Sequence, residues 1–109
     1  MKNLDLSIGQ RSSLLGILGQ QQGNLEKLAP YWRLIEKLRL SEEEVSKWEV
    51  KQVEQEGKIF ITWSPEAKPT PISIEDSDAV ALKKLIESWE GFGPSDFTWL
   101  QPILDALKA

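Results

Sequence analysis

Val50-Lys51-Gln52-Val53-Glu54-Gln55-Glu56-Gly57-Lys58-Ile59-Phe60-Ile61-Thr62-Trp63 is the stretch that separates an all-helical reading of this chain from a mixed one. Two runs rich in β-branched and aromatic residues flank a turn that contains Gly57, the mark of a β-hairpin. Alternation places Ile59, Ile61 and Trp63 on one face of the second strand and Phe60 and Thr62 on the other. Residues 64–71, with Pro65, Pro69 and Pro71, read as a loop. Ile72-Ser73-Ile74 alternates again and is expected to add a third strand to the hairpin, because a lone hairpin is marginal in water.

The rest of the chain reads as helix. Upstream, Leu4 and Leu6 suit a short extended arm. Ser7 and Gln10 have capping-box spacing and open a helix over 8–19, with Ile8, Leu14, Leu15, Ile17 and Leu18 as its apolar residues. Asn24 caps a second helix that runs to 39 and carries Leu25, Leu28, Trp32, Ile35 and Leu38 at helical spacing. Pro30 interrupts it, by removing a donor and crowding the preceding turn. One kinked helix is expected rather than a start near Ala29. Ser41 and Glu44 form a second capping box for a short helix over 42–48.

Downstream, Ala79, Leu82, Leu85, Ile86 and Trp89 give the best helical periodicity in the chain, over 77–90. Gly91 to Pro94 stops that helix. Ser95 is expected to cap a last one over 96–108, with Phe97, Leu100, Leu104 and Leu107 on one side and Pro102 inside it. The expected fold is α+β: four to five helices packed on a small antiparallel sheet of two or three strands, in a single domain spanning 1–109.

Composition narrows the function. The chain has 109 residues, no Cys and no His. That excludes disulfides, Cys/His metal sites, a histidine base and a cysteine nucleophile. The absence of cysteine fits a reducing compartment, and Met1 to Asp5 lack a signal-like apolar stretch, so a cytoplasmic location is expected. No apolar run reaches the roughly 20 residues of a membrane helix. The net charge of −4 is uneven, with +3 over residues 1–41 and −7 over 42–109. Overall acidity disfavours binding to phosphate backbones.

Leu14-Leu15-Gly16-Ile17-Leu18, Gly23-Asn24-Leu25 and Leu34-Ile35-Glu36-Lys37-Leu38-Arg39-Leu40-Ser41-Glu42-Glu43-Glu44, followed by Ile61-Thr62-Trp63 and a long amphipathic helix, make a recognisable order. The layout resembles small uncharacterised proteins encoded by phages and prophages, over about three quarters of the chain. The shared motifs are caps and apolar faces. The resemblance implies a mobile-element origin and no catalytic residues. The Pro30-Tyr31-Trp32 stretch and the Pro102 helix depart from that pattern.

No constellation of catalytic residues emerges. Glu42, Glu43 and Glu44 point in different directions from a helix start and read as a solvated cap. Glu75, Asp76 and Asp78 have oxygen ligands for a hard cation but not the spacing of an EF-hand loop, and no cofactor is expected. Five Trp in so short a chain is the remaining signal. Trp32, Trp63 and Trp89 fall on apolar faces and are assigned to the core. Tyr31, Trp48, Phe92 and Trp99 point less clearly inward and are the candidate partner-binding residues.

The first expectation is therefore a non-enzymatic module that docks on an unidentified protein through aromatics and a sheet edge. An alternative is a nucleic-acid-binding regulator that uses Arg33, Lys37 and Arg39 on the second helix. A second alternative is a homo-oligomeric assembly component.

Overall fold

The computed structural model describes residues 1–108. The order is β1 (Lys2–Leu6), α1 (Ile8–Gly19), α2 (Leu25–Leu38), α3 (Glu42–Lys47), β2 (Lys51–Gln55), β3 (Lys58–Thr62), β4 (Thr70–Ile74), α4 (Asp76–Ser88) and α5 (Phe97–Lys108). A single 3-10 turn, Pro94–Asp96, leads into α5. The fold is α+β, with five helices and two separate antiparallel pairs, β1–β4 and β2–β3.

The expected third strand exists but joins the other sheet. Ile72-Ser73-Ile74 pairs with the amino-terminal arm, setting Leu4 opposite Ile72 and Lys2 opposite Ile74. Leu4, Leu6, Ile72 and Ile74 are all buried. The hairpin could not have offered such a face. Its register mixes Gln52 and Glu54 with Ile59 and Ile61 on one side, and Lys51, Gln55 and Lys58 with Val53 and Phe60 on the other. Covering either side would bury a charge or an amide without a partner, which costs more than the apolar gain returns. The helices therefore pack on β1–β4, with α5 and α1 against β1 and α2 against β4.

Local signals held where they were local. Ser7 with Gln10, and Ser41 with Glu44, each make both bonds of a capping box, and the Asn24 side chain accepts from the Lys27 N–H. In α4, Ala79, Leu82, Leu85 and Ile86 are buried as the periodicity predicts. The second helix starts at Leu25 and runs unbroken through Pro30. The last one is capped differently from expectation. Gly93, not Ser95, precedes the first turn, and its N–H donates to Asp96 Oδ2 at 2.7 Å.

Two helices turn inward only part of the face expected of them, Ile35 and Leu38 in α2 and Leu100, Leu104 and Leu107 in α5. In α2 the core takes Leu34 and Leu38, with Tyr31 and Ile35 packed beside them, while Leu25 and Trp32 stay exposed. In α5 it takes Leu100, Ile103 and Leu107, and Phe97 stays exposed. Both apolar arcs are broad, so sequence spacing leaves the rotation open and packing against β1–β4 chooses it.

A buried arginine ties the first three helices together. Arg11 is 2% exposed. Its Nε donates to the Leu38 carbonyl at 2.9 Å, and its Nη2 to the Arg39 carbonyl at 2.8 Å. It thereby satisfies carbonyls that the end of α2 leaves without helical partners. Its guanidinium also forms a forked pair with Glu44. Glu44 is thus not the solvated cap residue expected of it.

Candidate functional site

The hairpin β2–β3 is the part of the chain that the fold leaves uncovered. All ten strand residues are exposed. Glu56 and Gly57 close it with φ of 53° and 78°, a two-residue turn of the primed type that matches strand twist. Gly57 suits that left-handed conformation because it has no Cβ. The hairpin is anchored only at its base. There the Ser64 N–H donates to the Trp48 carbonyl at 2.7 Å, and the Val50 N–H to the Val45 carbonyl at 3.0 Å. Trp63 lays its ring against α1 at Gly9, where a Cβ would stand 3.1 Å from the Trp63 ring. Gly9 is therefore a close-approach position.

Exposed apolar side chains cluster here, while Leu25, Trp32, Val80 and Phe97 are exposed singly on the helices. Ile59 is 70% exposed and Phe60 48%, with Val53, Ile61 and Trp63 also open to solvent. Charge is denser on β2, where Lys51 and Glu54 stand either side of Gln52-Val53, whereas on β3 Lys58 is the one charged residue and Ile59-Phe60-Ile61 follows it. Bare apolar edge strands are rare in monomers because their unpaired backbone recruits other strands.

The four candidate aromatics are half-buried and do not form one surface. Phe92 and Trp99 meet edge to face, with centroids 6.0 Å apart. Trp99 Nε1 donates to Asp96 Oδ1 at 2.9 Å. That bond, with the Gly93 N–H, holds the Asp96 carboxyl below its ordinary pKa. Tyr31 packs on the core from α2. Trp48 ends α3 at the foot of the hairpin, with the Lys47 ammonium 4.9 Å from its ring centroid. Of the four, Trp48 alone adjoins the hairpin. Trp32 and Trp63, assigned to the core, are exposed instead. Side-chain alternation identifies the hairpin, but the two-sided exposure that makes it a surface follows from where β4 goes.

The three basic candidates are engaged within the molecule. Arg33 donates through Nε and Nη2 to Asp78, with the shortest bond at 2.8 Å, and that bond raises the Arg33 pKa. Asp78 is itself 1% exposed, so this pair joins α2 to α4. Lys37 Nζ donates to the Ser73 carbonyl at 3.0 Å, and Arg39 lies 3.8 Å from Glu36. Asp78 is buried in this pair, whereas its neighbours Glu75 and Asp76 are exposed.

A cleft of about 250 Å³ between α4 and α5 is lined by Ile86, Trp89, Phe92, Phe97, Leu100 and Leu104. Its walls are almost wholly apolar, with Glu87 the one charged group on its rim. No helix among the described residues is long and apolar enough to cross a membrane. No protein-family model, curated protein or solved structure matches the chain.

Proposed function

We propose that this chain is a non-enzymatic protein-binding module that takes its partner onto the β2–β3 hairpin. The observation that carries the reading is the exposure of both hairpin faces while Val53, Ile59, Phe60, Ile61 and Trp63 supply apolar surface there. An open strand edge offers main-chain hydrogen bonds for affinity, and side chains alternating above and below it give specificity. The site moves from the half-buried Tyr31, Phe92 and Trp99 to the hairpin, and keeps Trp48 at its foot. A cytoplasmic setting belongs to the same reading and is supported by the cysteine-free sequence. A mobile-element origin rests on the sequence resemblance alone.

The test is capture of partners from lysate, with nuclease, by the native chain and by an Ile59→Ser, Phe60→Ser, Ile61→Ser variant. None of the three residues lies in the core, so the variant is expected to keep its thermal midpoint and to lose the captured protein. Unchanged capture would refute the hairpin as the surface. The nucleic-acid alternative has less support, since Arg33 and Lys37 already serve internal acceptors. It predicts nuclease-sensitive capture and a steep loss of binding with salt.

A further inference from the structure

We infer that the occupant of the hairpin is a second copy of this chain, paired antiparallel along the outer edge of β3 and centred on Phe60. The inference rests on the hairpin being the binding surface and names its partner. Three observations carry it.

The first is backbone parity. The Ser64 N–H points toward the β2 side, where it meets the Trp48 carbonyl. The two-residue turn at Glu56 and Gly57 makes Gln55 and Lys58 a hydrogen-bonded pair, and such pairs alternate along an antiparallel ladder. Lys58, Phe60 and Thr62 therefore spend their N–H and C=O groups on β2. Ile59 and Ile61 turn theirs outward.

The second is self-complementarity. A two-fold axis through Phe60 sets Ile59 opposite the second copy's Ile61, and the reverse. Each of these pairs exchanges both N–H···O bonds, because both members present outward groups. Phe60 then faces the second copy's Phe60 in a non-hydrogen-bonded pair, where side chains come closest. Lys58 faces Thr62, so no like charges meet. All five residues of β3 pair in this register, and moving the axis by one residue leaves two of them unpaired. An isologous interface requires this kind of palindromic match.

The third is the contrast between the edges. The outward groups of β2 belong to Gln52 and Glu54, polar residues that suit an edge left in water. Those of β3 belong to isoleucines. The product is a four-stranded sheet ordered β2-β3-β3-β2, long enough to overcome the marginal stability of a lone hairpin.

The native chain is expected to show a concentration-dependent rise in light-scattering mass from monomer to twice that value. Because it has no cysteine, single substitutions report the register directly. Under mild oxidation Phe60→Cys is expected to cross-link into a covalent dimer. The opposed Cα atoms would lie about 4.5 Å apart, within disulfide reach. Ile59→Cys is expected not to cross-link, since its counterpart sits diagonally, about 7–8 Å away. A Lys58→Cys, Thr62→Cys double variant keeps Phe60 and is expected to cross-link in the same register. A monomer at every concentration, with no cross-link from any variant, overturns the second copy. If hairpin-dependent capture of another protein persists in that case, the binding surface stands and only its occupant is wrong. Cross-linking of Ile59→Cys as readily as Phe60→Cys overturns the register.

Discussion

Two charged residues, Arg11 and Asp78, are buried, and each is held by a partner from another helix. Removing one member of such a pair leaves the other uncompensated. Arg11→Ala is expected to lower unfolding free energy by about 3 kcal/mol in denaturant titration, since it also frees the carbonyls of Leu38 and Arg39. Arg33→Ala is expected to lower the denaturant midpoint by leaving the buried Asp78 unpaired, and Arg33→Lys to restore only part because Lys cannot make the forked contact. The Arg11 guanidinium and the Ser41 N–H hold the Glu44 carboxyl below its ordinary pKa. A depressed carboxyl stabilises the fold above its unfolded pKa of about 4.3, and that contribution is lost as pH falls through the folded value. Glu44→Gln is therefore expected to be less stable at neutral pH and to show a shallower loss of stability on acidification below about pH 4.3. An acid-unfolding series on the two proteins measures both slopes. In sequence, Arg11 gave no sign of this role, because its acceptors lie on α2 and α3 and enter only through tertiary packing.

Among the elements, the hairpin and the β1–β4 pair differ in what covers them. Hydrogen exchange is expected to separate them, with amides of Leu4, Ile72 and Ile74 slowest and those of β2 fast at concentrations where the chain is monomeric. Glu56 occupies a left-handed position that Asn tolerates better, and Asn-Gly is the favoured pair for this turn. Glu56→Asn is expected to slow hairpin exchange by about 0.5–1 kcal/mol of local opening and to leave exchange in α4 unchanged. The hairpin, α4 and all three capped helix starts were legible in the sequence. The inward faces of α2 and α5 were less so, since Tyr31-Leu34-Leu38 and Leu25-Leu28-Trp32 are neighbouring stripes of one broad apolar arc.

For the whole molecule, stability and binding occupy different parts of the chain. Leu4→Ala or Ile74→Ala should each cost about 2–5 kcal/mol, because both are fully enclosed by helices. Val53→Ala, on the exposed hairpin, should stay within about 0.5 kcal/mol of the native chain in a dilute thermal or denaturant melt. The Cα radius of gyration, 14.2 Å, exceeds the roughly 13 Å of a close-packed chain of this length, in keeping with a projecting hairpin. By itself the sequence determined what depends on residues within a few positions of one another: the caps at Ser7, Asn24 and Ser41, the turn at Gly57, and the apolar row of α4. Tertiary structure alone decided which strand Ile72–Ile74 would join, which stripe of α2 would be buried, and that Trp32 and Trp63 would lie outside the core. Each of those outcomes is a choice between partners with the same local pattern. It turns on which pairing buries the most apolar surface without stranding a charge, and β1 supplied an all-apolar face where the hairpin offered a mixed one.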